Sequence, residues 1–261
     1  IKQDVIAAPI SQMVKDCLAD TGMDNKSMLK CRNMFAVGLV CWLFNRDLNI
    51  AEDFIREKFS KKPEIAEANI KVVRAGYDYG HNTHASVAHT YKIESKAAVP
   101  GKYMDITGNK ATAYGFIAAA EKAGLKLYLG SYPITPATDV LHELSKHKSL
   151  GVTTVQCEDE IAGCASAIGA SYAGALAVTS TSGPGICLKS EAMNLAVIME
   201  LPLVVLDVQR GGPATGLPTK SEQTDLLQVL FGRNGESPMP VIAATSPTDC
   251  FDSAYMAAKI A

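Results

Sequence analysis

The residues able to do chemistry fall in four short stretches, each after an apolar run. The first, VQCEDEIAG, sets Glu158, Asp159 and Glu160 in a row. Adjacent carboxylates can accept hydrogen bonds or move a proton. Acids also suit a helix N-terminus, so composition alone leaves a structural and a functional role equally open. The second, DVQRGGPATGLPTKSEQTDL, shapes a loop of glycines and prolines around Arg210 and then adds Thr215, Thr219 and Lys220. An arginine just past a buried strand can clamp a carboxylate with two parallel hydrogen bonds. The third, GSYPITPATD, brackets an Ile-Thr pair with Pro133 and Pro136. The prolines leave Thr135 few conformations, and its hydroxyl is also placed to cap the next helix. The fourth, STSGPGI, contains Ser182 and Gly183 and is either a tight connection or a loop whose amides face an anion. It is neither a GxGxxG nor a phosphate loop ending in GK[ST].

Such loops act together only if the fold brings them to one edge. From Gly108 onward the chain alternates between helical and strand patterns. NKATAYGFIAAAEKAG reads as a helix with a glycine C-cap, LKLYLG as a strand, and TPATDVLHELSKHKS as a helix with Thr135 as N-cap. VTTVQC, LAVTST and PLVVLDV are strands, separated by a helix of alanines and glycines after Glu160 and by CLKSEAMNLAVIME. SEQTDLLQVLFG predicts a helix, PVIAAT a strand, and SPTDCFDSAYMAAKIA a helix with Ser246 as N-cap and Asp249 completing a capping box. The fold class expected for residues 108–261 is α/β: a doubly wound, mainly parallel sheet with helices on both faces. Ligands on such sheets lie beyond the carboxyl ends of the strands, where the four stretches fall.

Residues 1–80 read as a mostly helical block without converging acids, bases or ligands. KSMLKCRNMFAVGLVCWLFN is helical; IAEDFIREKF puts Ile50, Phe54, Ile55 and Phe59 on one face; a further helix starts after Pro63. VIAAPISQM is expected to end a strand. Residues 81–107 read as a linker, and its His81, His84 and His89 lack a nearby cysteine or carboxylate, so they are taken as incidental rather than metal-binding. The chain starts on Ile1 and stops within a freshly capped helix, as expected of part of a longer polypeptide. None of the seven cysteines forms a CxxC pair, which argues against a zinc or iron–sulfur site within this chain. A net charge of −2 gives no basic surplus for nucleic acid. No apolar run reaches the roughly 20 residues that span a bilayer, and no signal peptide opens the chain, so a cytoplasmic location is expected.

Together GSYPITPATDVLHELSKH, EDEIAG, TSTSGPG and VQRGGPATGLPTKSEQTDL resemble the alpha subunit of 2-oxoacid:ferredoxin oxidoreductases, in particular the 2-oxoglutarate branch. Residues 1–80, with RNMFAVGLVCWLF and KKPEIAEANIKVVRAGYDYG, are similar to the end of a gamma domain fused ahead of alpha. The resemblance implies a thiamine-diphosphate enzyme in which residues 108–261 form the pyrimidine-binding domain. In that family a glutamate hydrogen-bonds the aminopyrimidine ring and promotes its imino form. The position falls on Glu160, with Glu158 and Asp159 as alternatives. Substrate contacts carry over to Thr135, Arg210, Thr215 and Thr219. Thr135, Ser182 and Gly183 are placed near the cofactor.

The implied reaction converts a 2-oxoacid and coenzyme A into acyl-CoA, carbon dioxide and reduced ferredoxin. Magnesium and a [4Fe–4S] cluster are expected from a beta subunit, with alpha-beta heterodimers pairing into a larger dimer. Lys220 is the one candidate cation for a distal substrate carboxylate. Two other readings remain at this stage: a different thiamine-dependent lyase or transketolase-like enzyme, and a non-catalytic assembly domain.

Overall fold

The computed structural model describes residues 5–83, 89–93 and 100–261, divided between two units, Ile1–Gly101 and Lys102–Ala261. The regular elements described in the first unit are helices: α1 (Ile10–Leu18), α2 (Asn25–Lys30), α3 (Arg32–Leu43), α4 (Leu48–Lys58) and α5 (Pro63–Thr83). Val14, Leu18, Phe35, Ala68 and Val72 form its main core. Helices α3 and α5 approach backbone to backbone, because a methyl at Gly38 would strike the Val73 carbonyl and one at Gly76 the Phe35 carbonyl.

Two expectations fail here. The segment expected to end a strand is irregular and leads through Pro9 into α1, which buries Val14 and Leu18. A proline supplies no amide for a ladder, whereas the spacing of Val14 and Leu18 is helical. On α4, Ile55 is buried, but Ile50 and Phe54 are 73% and 61% exposed. The buried place goes to Glu52, at 4% exposure. It is gripped by Arg74 through Nε and Nη2, both at 2.7 Å, and by Arg56 at 3.2 Å. A carboxylate so paired tolerates burial that it would otherwise resist. Of the three histidines expected in a linker from residue 81, His81 instead lies in the last turn of α5 and is exposed, His89 is exposed, and His84 lies outside the described residues.

The second unit opens with α6 (Gly108–Ala123), capped by the Thr107 hydroxyl and ended by Gly124 at φ 69°. Then follow β1 (Leu127–Ser131), α7 (Thr138–Leu144), β2 (Val152–Gln156), α8 (Glu160–Tyr172), β3 (Leu176–Thr181), α9 (Pro184–Ile198) and β4 (Val204–Asp207). Helices α10 (Leu226–Phe231) and α11 (Pro247–Ile260) complete it. The strands form one parallel sheet in the order β2-β1-β3-β4. Phe116 of α6, Val140 and Leu144 of α7 and Ala254 of α11 pack with Leu127, Leu129, Val178 and Val204 on one face. Cys164 and Ile168 of α8 and Ile186 and Met193 of α9 pack with Val205 on the other. Val204 and Val205 point to opposite faces, as the period of a strand requires. This is the expected doubly wound α/β arrangement.

The chain runs outward from β1 to β2, then crosses back to β3 on the other side of β1. The loops after β1 and β3 therefore diverge, making a switch point at the carboxyl edge. The small residues of α8 serve this region. Gly163 lies against β1, where a methyl on Gly130 would come within 2.5 Å of the Gly163 carbonyl oxygen.

Three local expectations are corrected. Thr135 is not the cap of α7: the helix begins at Thr138 behind Ala137, with no side-chain cap, and residues 135–137 form a turn. The amide of Thr138 donates to the Ile134 carbonyl, so the backbone closes this turn without the hydroxyl. The PVIAAT stretch forms no strand; β4 pairs only with β3, and Pro238 and Pro240 lack amides for a ladder. Strand β4 is the edge of the sheet and buries only Val204 fully.

Candidate functional site

At the end of β2 the three acids separate by position. Asp159 caps α8, accepting from the Ala162 amide at 2.7 Å, and it and Glu158 are exposed. Glu160, the first residue of α8, turns inward and is 6% exposed. Its carboxylate lies over Gly185 in the first turn of α9. A methyl there would sit 2.9 Å from Glu160 Oε1 and collide with the Thr181 hydroxyl. The glycine is thus what lets a carboxylate and a hydroxyl meet over that helix end. Serine 131 helps fix the same edge, its Oγ lying 2.7 Å from Ser180 Oγ across β1 and β3.

Lys189, one turn further along α9, is fully buried. Its Nζ donates to the Glu160 carbonyl at 3.1 Å and to Thr179 Oγ1 at 2.7 Å. Burial pushes its pKa below the usual lysine range, against the attraction of nearby acidic groups that include Glu160. Sequence reasoning passed over this lysine. The available signal was its spacing, since Lys189 falls three residues after Ile186 and four before Met193, on the stripe that packs inward.

Arg210 is 5% exposed. Its Nη1 donates to the Thr135 carbonyl and its Nη2 to the Thr215 carbonyl, both at 2.8 Å. Its stem crosses Gly183, whose missing side chain would meet Arg210 Cγ at 3.4 Å and Nε at 3.5 Å. Gly183 itself takes φ 45° and ψ −108° as it opens α9. One guanidinium thereby ties together the loops after β1, β3 and β4. Thr135 and Thr215 contribute carbonyls here, while as residues both are exposed. Thr219 and Lys220 are also exposed; the Lys220 carbonyl accepts from the Gly211 amide at 2.9 Å, which folds the loop back on itself. The structure therefore brings Thr135, Gly183, Arg210 and Thr215 into direct contact, with Glu160 and Ser182 beside them through the α9 start. Thr219 makes no such contact.

Below Arg210 lies a second acidic group that the sequence did not reveal. Asp207, the last residue of β4, has its pKa pushed up to about 8 by burial and by the neighbouring Asp225 carboxyl. Asp225 is 4% exposed and accepts from Gln209 Nε2 at 2.9 Å.

Several polar atoms at this edge are buried without a protein partner: Thr181 Oγ1, Ser182 Oγ and Arg210 Nε. Orphaned buried groups of this kind are rare unless a ligand, ion or water satisfies them. The set is a carboxylate, two hydroxyls and a guanidinium N–H. It suits a flat polar ring that donates to Glu160, beside an anionic group that accepts from Arg210. Among the described residues no group of histidine, cysteine and acid side chains could hold a metal ion. Among them no helix is long and apolar enough to cross a membrane.

Comparison with known proteins places the chain in a family. Residues 118–261 match the family model "Pyruvate flavodoxin/ferredoxin oxidoreductase, thiamine diP-bdg", and residues 2–79 match "Pyruvate ferredoxin/flavodoxin oxidoreductase". The chain is 59% identical over 240 residues to the 2-oxoglutarate oxidoreductase subunit KorA of Mycobacterium tuberculosis, covering 92% of this chain and 37% of that one. It is 42% identical over 157 residues to the 2-oxoglutarate synthase subunit KorA of Archaeoglobus fulgidus, covering 60% of this chain and 44% of that one. A solved structure of the 2-oxoglutarate:ferredoxin oxidoreductase of Magnetococcus marinus, with 2-oxoglutarate, coenzyme A and succinyl-CoA bound, is similar with TM-score 0.77 and 35% identity. The match covers 97% of this chain and 42% of that one. The chain thus spans about two fifths of the length of these relatives. Sequence, fold and site geometry lead to one assignment: the chain belongs to the pyruvate flavodoxin/ferredoxin oxidoreductase family, within which it carries the thiamine-diphosphate-binding domain.

Proposed function

We propose that this chain supplies half of the active site of a 2-oxoacid:ferredoxin oxidoreductase, with 2-oxoglutarate as the substrate. The reaction joins the 2-oxoacid and coenzyme A to give acyl-CoA and carbon dioxide, with two electrons passing to ferredoxin. The observation that carries this reading is that Glu160 and Arg210 are both buried against the start of α9, one over Gly185 and the other over Gly183, where the Thr181 and Ser182 hydroxyls and Arg210 Nε lack a protein partner. The substrate assignment follows the names of the relatives and the ligands of the Magnetococcus enzyme.

Thiamine diphosphate, when bound, supplies a centre that stabilises the carbanion left by decarboxylation. Glu160 would accept a hydrogen bond from its pyrimidine ring and hold or release a proton at its carboxylate oxygen. Burial over Gly185 keeps water from competing for that oxygen. The unpartnered Thr181 and Ser182 hydroxyls would be available to hydrogen-bond the group. Arg210 would hold the substrate carboxylate. It has five N–H donors, of which the two carbonyls engage one on each terminal nitrogen, so Nε and the remaining terminal donors are free to bind an anion. Fixing the guanidinium on two carbonyls means that little side-chain entropy is lost when the substrate arrives. Exposed Thr215, Thr219 and Lys220 line the outer loop and could meet the far end of the acid. The magnesium ion that accompanies the diphosphate and a [4Fe–4S] cluster are assigned to a beta subunit, and pairs of alpha-beta heterodimers form the working assembly.

Two substitutions in the assembled enzyme test this reading. Glu160→Gln keeps the shape but cannot exchange a proton, and should lower kcat by about 100-fold or more, the usual share of a general acid–base group. Arg210→Ala should raise the KM for the 2-oxoacid without a matching change in the KM for coenzyme A. Full turnover in the first variant, or an unaltered oxoacid KM in the second, overturns the assigned role.

A further inference from the structure

We propose that Lys189 is a positioning residue for Glu160: its buried Nζ ties the first turn of α8 to β3 and so holds the carboxylate over Gly185. This rests on the proton-handling role of Glu160 proposed above.

Helix α9 meets β3 in a matched register. Because β3 and β4 are parallel, α9 runs back against β3. Gly185 faces Thr181, and Lys189 reaches Thr179. Four residues of helix rise about 6 Å, and two residues of strand about 6.6 Å. One turn of α9 therefore sets a glycine against one threonine and a lysine against the next threonine on the same face of the strand. Glu160 is held at both points. Its carboxylate lies against the space left by Gly185, and its carbonyl accepts from Lys189 Nζ at 3.1 Å. The same Nζ donates to Thr179 Oγ1 at 2.7 Å. Hydrogen bonds within α8 fix Glu160 only relative to that helix, whereas the lysine fixes it to the sheet. Carbonyl and side chain branch from one Cα, so a held carbonyl leaves the carboxylate only the rotations of its own side chain.

Stability alone does not account for this lysine. It occupies the stripe of α9 that also buries Ile186 and Met193, and it is 0% exposed. An ammonium has three N–H donors, and two acceptors meet them here. Taking such a group out of water costs more than burying an apolar side chain of the same length. Desolvation lowers its pKa, against the pull of Cys164, Glu160, Cys157 and Asp159. An uncharged amine would still have two N–H donors for the two acceptors, so the clamp does not depend on the proton.

The test is Lys189→Met in the assembled enzyme. Methionine is apolar and of similar length, so the urea midpoint should hold or rise. Amide hydrogen exchange at the start of α8 should nevertheless quicken. The kcat should fall about 10- to 100-fold, the scale of a small misplacement of a reacting group. The KM for 2-oxoglutarate should match the wild type, since Arg210 is untouched. The decisive comparison places Lys189→Met in the Glu160→Gln enzyme. A residue that acts only through the Glu160 carboxylate should cause no further loss of kcat there. Should Lys189→Met fail to assemble, Thr179→Val removes the strand end of the clamp and is read in the same way. A clearly lower urea midpoint would make the lysine a structural prop and overturn the proposal. Wild-type exchange at α8, wild-type kcat, or an equal loss of kcat in both backgrounds would overturn it too. Full turnover in Glu160→Gln alone would instead overturn the reading of the site, while hydrogen exchange would still decide whether Lys189 holds the first turn of α8.

Discussion

Glu160 and Arg210 stand out in the sequence because each sits at a strand-to-helix junction in an unusual setting, one before a helix almost without bulk and one in a loop of glycines and prolines. Lys189, Asp207 and Asp225 do not stand out, because what makes them unusual is burial by partners far away in the chain. The Lys189 ammonium, for instance, ends on the carbonyl of a residue 29 positions earlier. Gly185 was equally invisible, since its importance lies in what its absent side chain would strike. That gives a sharp test. Gly185→Ala adds one methyl against the Thr181 hydroxyl and the Glu160 carboxylate. It should destabilise the protein by about 1–3 kcal/mol through overpacking. It should also depress turnover far more than an alanine at Gly169, which faces open space. Urea unfolding and kcat, measured on both variants, check the contrast; equal kcat in the two would remove Gly185 from the site.

Helices and strands were legible where local signals and tertiary packing agree. Gly124 and Ser246 cap the helices their types suggest, with Ser246 Oγ accepting from the Asp249 amide at 3.1 Å, whereas the Thr107 cap of α6 emerges only in the structure. Legibility failed where long-range pairing decides. PVIAAT has the composition of a strand but no neighbour to pair with, and α4 turns a paired glutamate inward in preference to two large apolar side chains. Helix contacts in the first unit also depend on particular glycines. Gly38 of α3 and Gly76 of α5 each face a backbone carbonyl of the other helix, which cannot move aside as a side-chain tip can. Gly38→Ala should therefore cost at least about 1–3 kcal/mol, despite the better helix propensity of alanine. A lower urea midpoint is the expected result, and an unchanged or higher one would show that α3 and α5 can separate without loss.

At the scale of the whole chain, the alternation of strand and helix patterns from Gly108 onward was enough to foresee a parallel sheet and to place the reactive loops at its carboxyl edge. Strand order was not foreseeable, and it is the order that sets β1 beside β3 and makes the switch point where the loops bearing Thr135 and Ser182 part. Paired and buried carboxyls should also govern how the stability of the chain responds to pH. Glu143 on α7 is held down to about 2 by Lys146 above all, with His147 and Tyr114 adding to the effect. Its folded pKa lies below its unfolded one, so its contribution is present above about pH 4.5 and is lost as pH falls towards 2. Asp24, Glu52 and Asp249 act in the same direction, their carboxyls held low chiefly by Ser27, Arg74 and the Thr245 amide respectively. Asp207 has the opposite sign. Its folded pKa of about 8 lies above its ordinary 3.8, so the folded state binds the extra proton between those values. Stability from Asp207 is complete below about pH 4 and drains away as pH rises to about 8. The two effects oppose each other and should place maximum stability on the acid side of neutrality. Urea midpoints followed from about pH 3 to pH 9 should trace that curve. Glu143→Gln should flatten its acid limb and Asp207→Asn its alkaline limb. An alkaline limb that survives Asp207→Asn unchanged would assign the decline to groups other than the buried carboxyl at the end of β4.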